Sequence, residues 1–297
     1  EATIIDSLGN ERFVETNPFT NYNVFVLAQN LKNNGTAAII NTNVTRAGDN
    51  RDGNVTGVGG ELFSPDGKFK VAGEVKLSAI NDNEMLYGHS VSVVTGKVSG
   101  TWQYSFDYSE ESDTYDPNDL GFLYNNNSRS FGADLSWNDY TPTKYFYSRK
   151  VMFGVNYEEL YKPRAYVSNI FSFSVGGTHK KQVYTQLSGG ILPFGFVSHF
   201  ESRKFGKEVN YNPSSWINWF FTSDYSKVFA LDGSFTWKEY SGRMQRGTSV
   251  WLEPRIRLSN RMNLKLKSSV EAIKGDYGYV SKFLSGFEDD IIIGFRD

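Results

Sequence analysis

The sequence contains 297 residues but no cysteine, only 8 prolines and only 3 histidines. The absence of cysteine excludes disulfides and thiolate metal sites. The histidines, His89, His179 and His199, lie far apart in the chain, so we expect no multi-histidine metal site and no cofactor. No apolar run reaches the roughly 18 residues that a membrane-spanning helix requires. Helical periodicity is also almost absent, which disfavours an α-helical fold.

The charge and motif content disfavour two functional classes. A formal net charge of −2 argues against a nucleic-acid partner, because nucleic-acid binding needs a basic surface. No Gly-x-Ser-x-Gly motif or other nucleophile motif is present, and His89 and His199 are interpreted as ordinary surface histidines. An enzyme is therefore a less favoured hypothesis, and we predict no catalytic residues.

Aromatic residues are abundant, with 18 Tyr, 23 Phe and 6 Trp, and these residue types favour strands. Residues 101–109 alternate strictly: Trp102, Tyr104 and Phe106 fall on one face, while Gln103 and Asp107 fall on the other. Residues 263–272 repeat this pattern. Such alternation predicts β-strands with one apolar and one polar face.

The length of the strands and the rhythm of the connections favour a particular β-architecture. The alternating runs last about eight to twelve residues, which is longer than an average strand and close to the length that spans a membrane. Tight turns, as at residues 65–67 and 260–261, interleave with longer polar loops, as at residues 81–88, 110–129, 198–213 and 273–289. A soluble β-sandwich also alternates, but it has no reason to interleave short and long connections.

We therefore predict an all-β protein, an antiparallel up-and-down transmembrane β-barrel of about 14–16 strands. Residues 1–297 would form a single outer-membrane barrel domain. The chain begins at Glu1 without a signal peptide, and residues 291–297 look like an interrupted strand. We accordingly expect the sequence to be a fragment of a longer chain.

The two faces of the strands predict two environments. One set of residues should face lipid, namely Trp102, Tyr104, Phe106, Leu264 and Leu266. A second set should face the lumen, namely Gln103, Asp107, Lys265 and Lys267. Trp251 shares the side of the charged residues on its strand and is expected to point inward.

The predicted lumen carries charges of both signs. These residues are Asp232, Glu253, Arg255, Arg257, Lys265 and Lys267. A hairpin turn at Asn260 would place Arg255 near Lys265 and Glu253 near Lys267. Two interpretations stay open: a charged constriction that selects solutes, or a salt-bridged filling that keeps the barrel rigid.

The long loops contain aromatic residues that would pack poorly in water. They are Tyr115, Phe122, Tyr124, Tyr277 and Phe283. We expect these loop residues to cover the barrel or to contact a partner. The same loops are rich in Asp and Asn, but neither residues 113–127 nor residues 49–54 have the spacing of a calcium-binding loop, so we predict no metal site.

Four short motifs carry a resemblance to a known family: PFTNYNV at residues 18–24, NVTG at 54–57, DLGF at 119–122 and GFRD at 294–297. Through these motifs the chain resembles the C-terminal barrel region of a Bacteroidota outer-membrane family of unknown function. Members of that family carry an N-terminal carbohydrate-binding-like β-sandwich ahead of the barrel. The resemblance implies a barrel fold and supplies no catalytic residues.

Together these patterns predict a protein of the bacterial outer membrane that contacts outer-membrane lipid. The favoured hypothesis is a structural or partner-binding scaffold, whose long extracellular loops meet partner proteins or a surface glycan. The alternative is a porin or transporter for small solutes. The close spacing of opposite charges on the inner face favours an obstructed lumen, and hence the scaffold.

Overall fold

The computed structural model describes residues 2–5, 9, 11–14, 18–48, 50–204, 206–242, 245–285 and 288–296. Regular structure in this part of the chain is β-strand, apart from one 3-10 turn at Lys32–Asn34. No helix among these residues is long and apolar enough to span a membrane. The predicted all-β class is confirmed, and the pairings form a large antiparallel sheet.

The described residues contain twenty-one strand segments. In chain order they are β1 (Ala2–Ile5), β2 (Glu11–Val14), β3 (Thr20–Asn30), β4 (Thr36–Arg46), β5 (Asp52–Phe63), β6 (Phe69–Asp82), β7 (Glu84–Lys97), β8 (Trp102–Glu111), β9 (Ser128–Asp139), β10 (Phe146–Leu160), β11 (Ala165–His179), β12 (Tyr184–Leu192), β13 (Phe196–Ser198), β14 (Val209–Tyr211), β15 (Ser214–Thr222), β16 (Phe229–Tyr240), β17 (Arg246–Ser259), β18 (Met262–Lys265), β19 (Ser268–Lys274), β20 (Asp276–Ser285) and β21 (Glu288–Arg296).

The chain divides into two compact units. Unit 1 comprises Glu1–Thr95, Asp107–Arg129 and Leu160–Arg164, and unit 2 comprises Gly96–Phe106, Ser130–Glu159 and Ala165–Asp297. Within unit 1, β3, β4, β5 and β6 pair antiparallel in chain order. Within unit 2, β11, β12, β15, β16 and β17 pair in the same way, and β17 then pairs with β18 and β19.

The two faces of the unit 1 sheet differ in exposure. Val58 and Val75 are register partners on one face, and both side chains are exposed, as is Leu77 on the same strand. On the opposite face Val44 and Ile80 both flank Gly53 in the register, and both are buried. The sheet therefore exposes apolar side chains on one face. On the other face the residues near the β4–β5 connection are buried.

Unit 2 shows the same division more completely. A row of apolar side chains crosses six paired strands, and every member of the row is exposed. The row consists of Val175, Leu187, Trp219, Phe235, Val250 and Val270. The next residue on each strand points to the other face, where the row reads Gly176, Gln186, Phe220, Ser234, Trp251 and Ser269.

The predicted alternation on β8 matches the exposure pattern. Trp102 and Phe106 are 55% and 56% exposed, whereas Gln103 and Asp107 are half-buried. On β18 and β19 every residue is exposed, so exposure does not separate Leu264 from Lys265. Their directions follow instead from the register, in which Leu264 opposes Ile256 and Lys265 opposes Arg255.

Three strands are interrupted, and each interruption has a local cause. Residues 193–195 separate β12 from β13, and residues 212–213 separate β14 from β15, with a proline in each gap. Pro254 in β17 lacks an N–H, and opposite it the ladder breaks at residues 266–267, where Leu266 N donates to the Pro254 carbonyl at 3.1 Å. Counted through these interruptions, segments β3 to β19 form fourteen strands.

Two predicted loops are wrong. Residues 81–88 are a tight turn, because β6 continues to Asp82, Asn83 adopts a positive φ of 63°, and β7 starts at Glu84. Residues 273–289 are mostly strand, since β20 pairs with β21 in a separate hairpin. At residues 81–88 polar side chains extend β6 and β7 beyond their apolar parts, whereas residues 276–285 form the first strand of the hairpin.

Candidate functional site

The longest connection in unit 1 is a compact Ω-loop at residues 112–127. Its two ends meet, because Asn127 N donates to the Ser112 carbonyl at 3.3 Å. The Asn126 amide then donates to the backbone carbonyls of Asp113 and Tyr115 at 3.1 and 2.9 Å. Side-chain amides thus replace the ladder hydrogen bonds that a strand would supply, and they fix the path of the loop.

Two arginines attach the Ω-loop to the end of β4 and to the β4–β5 connection. Arg46 pairs with Asp119 at 2.7 Å, and Arg51 pairs with Asp116 at 2.7 Å and with Asp119 at 3.0 Å. The side chain of Asp119 is only 9% exposed. The carboxylates of this acidic loop are therefore engaged in ion pairs, and the described residues contain no group of three or more His, Cys, Asp or Glu able to hold a metal.

The electrostatics of Asp116 reflect this attachment. Burial alone would raise the pKa of its carboxyl. The hydrogen bonds from Asn118 and Arg51, together with the Arg51 charge, outweigh burial and lower the pKa below its usual value. The charged form of Asp116 is consequently the form that holds the loop.

Tyr115 packs the Ω-loop onto the buried face of unit 1. Its side chain is 4% exposed, and its backbone lies so close to Gly88 that a Cβ on Gly88 would overlap it. Next to it, Asp116 N donates to the Ser78 hydroxyl at 3.2 Å. This part of the Ω-loop thus covers the face of β6 that bears Ser78.

The tip of the same loop is exposed. Phe122 and Tyr124 are 84% and 85% exposed, although Asn118 holds the neighbouring backbone by accepting from Leu123 N at 2.7 Å. The sequence-predicted loop residues therefore separate into a buried Tyr115 and two exposed rings. Two exposed rings on a hydrogen-bonded loop are suited to contact another molecule.

A cluster around Glu110 was missed by the sequence reasoning. Glu110 accepts hydrogen bonds from the Tyr108 hydroxyl at 2.5 Å and from Arg129 at 2.7 Å, and it lies 2.9 Å from His89 Nε2. The Tyr161 ring packs against both His89 and Arg129. The cluster joins the ends of β7, β8 and β9 beside the Ω-loop. The only indication of it in the sequence is that Tyr108 and Glu110, two residues apart on β8, point to the same face.

In unit 2 the register brings most of the predicted lumen-facing charges together. Asp232 opposes Glu253, and Arg255 opposes Lys265 as expected from the turn at Asn260. Glu253 lies 3.9 Å from Arg255, whereas its expected neighbour Lys267 falls in the gap opposite Pro254.

Tyr225, in the turn between β15 and β16, completes this group. Its hydroxyl donates to Asp232 at 2.5 Å, and the Arg255 guanidinium lies 4.1 Å from its ring centroid. Arg257 donates to the Tyr225 carbonyl at 3.1 Å. Asp232 is only 6% exposed; its Oδ2 accepts the Tyr225 hydrogen bond, whereas its Oδ1 has no hydrogen-bond partner among the described residues.

A family model matches residues 1–297. The chain belongs to that family, which is described as a domain of unknown function, DUF5916. No curated protein and no solved structure matches the chain. The expected membership of a family of unknown function is thus confirmed at that level.

In this DUF5916 chain Tyr277, predicted to lie in a loop, lies in strand β20. It packs edge-on against Tyr211 at 6.1 Å between centroids and against Phe295 at 5.5 Å. Arg296 joins the β20–β21 hairpin to Glu201, with which it pairs at 3.1 Å, and it also pairs with Asp276 of the same hairpin at 2.8 Å. The side chain of Phe283 lies outside the described residues.

Proposed function

We propose that this DUF5916 chain forms a β-barrel in the bacterial outer membrane and acts there as a structural or partner-binding scaffold. The observation that carries the proposal is the row of exposed apolar side chains from Val175 to Val270 across six strands of unit 2. Exposing such a continuous apolar surface to water is unfavourable, whereas lipid acyl chains solvate it.

The strand dimensions support the same proposal. β10 and β11 contain 15 residues each and β17 contains 14, which exceeds the roughly 9–11 residues that cross a bilayer. Neighbouring strands pair antiparallel in chain order within each unit, as in an up-and-down barrel. A closed ladder would leave no backbone edge in the lipid.

The Ω-loop supports a scaffold rather than an open pore. Tyr115 and Asp116 pack against the non-lipid face of unit 1, where they occupy space that a solute would need. Meanwhile Phe122 and Tyr124 remain exposed at the tip. The loop thereby combines a buried base with an exposed aromatic surface for a partner protein or a surface glycan.

Tryptophan quenching by brominated lipid tests the membrane placement. Trp219 and Trp251 lie at neighbouring register levels but on opposite faces, because Trp219 follows the row through Phe235 and Val250 while Trp251 follows the next row through Ser234. Two single-tryptophan chains, one keeping Trp219 and one keeping Trp251, are refolded into vesicles whose acyl chains are brominated. The proposal expects strong quenching of Trp219 and weak quenching of Trp251.

The variant that keeps only Trp251 is the matched control for non-specific contact with lipid. If Trp219 is not quenched, or if both residues are quenched equally, the membrane-barrel proposal fails. A chain that stays in the aqueous phase without detergent would contradict it as well.

A further inference from the structure

The polar face of β16, β17 and β18, together with the adjoining Lys267, has a net positive charge. Two carboxylates, Asp232 hydrogen-bonded to Tyr225 and Glu253 at 3.9 Å from Arg255, stand against four cations, Arg255, Arg257, Lys265 and Lys267. Among the described residues no carboxylate pairs with Lys265 or Lys267. The charge offered to a ligand on this face is therefore positive.

Aromatic rings lie beside Lys267 on the same face. Phe220 and Trp251 flank Ser234 in the register, and their rings are nearly parallel, with an interplanar angle of 11° and centroids 6.4 Å apart. Tyr184 extends the strip, with its centroid 6.2 Å from Phe220. All three rings are only half-buried, so the strip lies at the surface of the wall.

Side chains that both donate and accept hydrogen bonds surround the rings. Gln186 stands opposite Phe220 in the register, and Asn218 lies two residues from Phe220 on the same strand and face, donating to the Thr236 hydroxyl at 2.7 Å. Amides and hydroxyls in this arrangement suit a ligand with many hydroxyl groups. An exclusively apolar ligand would leave them without partners.

The hydrogen bonding of the cluster is also incomplete. Trp251 Nε1 and Arg255 Nε are buried donors, and Asp232 Oδ1 is a buried acceptor, without a hydrogen-bond partner among the described residues. Lys267 Nζ lies 5.8 Å from the Trp251 centroid, near the outer limit of a cation–π contact, so it is weakly held there. A ligand that supplies acceptors and negative charge would satisfy the two donors and pair with the lysines.

We propose that this surface, defined by Trp251, Phe220, Lys265 and Lys267, binds an acidic saccharide. The C–H face of a sugar ring stacks on the Trp251 and Phe220 rings, and the carboxylate or phosphate of the sugar pairs with Lys265 and Lys267. In this exchange Lys267 leaves the indole face and contacts the anion. Gln186 and Asn218 hydrogen-bond the sugar hydroxyls.

This site goes beyond the scaffold proposal and does not depend on it. The residues belong to unit 2 alone, and their register holds whether or not the sheet closes in a membrane. Binding is measured on the full chain in detergent, so the lipid-quenching result and the binding result can fail separately.

The test is calorimetric titration of the chain with three probes: an oligogalacturonate, a neutral oligogalactoside of equal length, and inorganic phosphate. We expect the acidic oligosaccharide to bind at least about tenfold more tightly than either of the other probes, because it alone offers both rings and charge. Its affinity should fall as salt is raised from 0.05 to about 0.5 M.

Variants assign the binding to the named residues. Trp251→Leu and Lys267→Gln should each weaken oligogalacturonate binding about tenfold. The matched control is Lys238→Gln, a cation on the same face of β16 whose ammonium lies 4.8 Å from the Tyr240 ring, and its affinity should stay within about twofold. Circular dichroism confirms that each variant retains its strands.

Three results would overturn the proposal. Equal binding of the neutral oligosaccharide would remove the role of the lysines. Equal binding of phosphate would remove the role of the rings and leave a simple anion-attracting surface. Unchanged affinity in both Trp251→Leu and Lys267→Gln would place the ligand elsewhere.

Discussion

At the scale of single residues, the absence of a side chain at Gly88 decides how the Ω-loop packs. The backbone of Tyr115 occupies the space where a Cβ of residue 88 would stand. Glycine is the residue that permits such a close backbone approach between a strand and a loop. The position of Tyr115, and with it the covering of Ser78, therefore depends on a glycine in the neighbouring strand β7.

We expect Gly88→Ala to displace the Ω-loop without unfolding the sheet. The added methyl overlaps backbone atoms, which cannot move aside as a flexible side chain would. Limited proteolysis at Phe122 and Tyr124 should accelerate several-fold. Gly247→Ala is the matched control, because the nearest atom to a Cβ there is Lys238 Cβ at 3.9 Å, and its cleavage rate should equal that of the wild type.

A pH dependence follows from Asp116, whose pKa lies below its usual value despite burial, owing to Asn118 and Arg51. Because the folded pKa is depressed, the contribution of this ion pair is complete above the ordinary aspartate pKa of about 4 and is lost as pH falls through the lower folded value. Hydrogen exchange of residues 118–125, corrected for intrinsic rates, should therefore accelerate only in acid.

Asp116→Asn provides the comparison for that experiment. The amide cannot ionise, so the acid-dependent part of the exchange should disappear, while exchange at neutral pH becomes faster than in the wild type. Acid-accelerated exchange of equal size in both proteins would show that a different group controls the loop.

The sequence predicts the position of a side chain only where the pattern that determines it lies within one strand. Alternation along one strand suffices to assign Trp102 and Phe106 to one face and Gln103 to the other. The pairing of Arg51 with Asp116 joins residues 65 positions apart, and no spacing in the sequence indicates it. The Glu110 cluster was missed for the same reason, since its members come from three strands.

At the scale of elements, bends in two strands depend on a few backbone positions. β13 remains paired with β11 after the interruption at residues 193–195, through Ser168 and Phe196. Gly195 has a φ of +69°, and a Cβ there would overlap the Tyr211 carbonyl oxygen. The stacked rings of Phe196 and Tyr211, 4.2 Å apart, lie beside this bend.

Gly195 and Gly206 allow the cost of a positive φ to be separated from the cost of steric overlap. Gly206 has a similar φ of +74°, but nothing lies within 4 Å of its Cβ position. We expect Gly206→Ala to cost about 1–2 kcal/mol, the price of a left-handed non-glycine residue. Gly195→Ala should cost more, about 3 kcal/mol in the free energy of unfolding, because backbone overlap adds to conformational strain.

Urea unfolding in detergent, followed by tryptophan fluorescence, measures both variants. Equal costs for Gly195→Ala and Gly206→Ala would mean that the bend tolerates a side chain. Such a result would also mean that the positive φ, and not overlap with Tyr211, accounts for the requirement for glycine at residue 195.

The elements that the sequence predicted well are the long strands with tight turns. Pro65, Asp66 and Gly67 form one such turn, in which hydrogen bonds from Ser64 and Lys68 lower the pKa of Asp66 to about 2. Residues 81–88 were wrongly predicted as a loop because polar residues look alike in a solvated loop and at the end of a long strand. Residues 273–289 were wrongly predicted because most of them belong to a separate hairpin, whose pairing no local pattern indicates. Strand pairing, which is not a local property, distinguishes a loop from a strand in both places.

At the scale of the whole molecule, the scaffold proposal predicts a poor pore. Refolded chain in a planar bilayer should give no steady open conductance, because the Ω-loop packs against the polar face of unit 1. Deletion of residues 116–125 should raise the conductance if that loop is the obstruction. A steady conductance in the intact chain, with ion preference altered by Arg255→Gln, would instead support the porin alternative.

The sequential pairing of the strands also has a consequence for the order of folding. Most pairings join neighbouring strands through short turns, and local contacts of this kind form early because little chain entropy is lost. The contact between Glu201 and Arg296 is different, since it joins residues 95 positions apart. We therefore expect the β20–β21 hairpin to dock onto Glu201 late in folding, after the strands between them have paired.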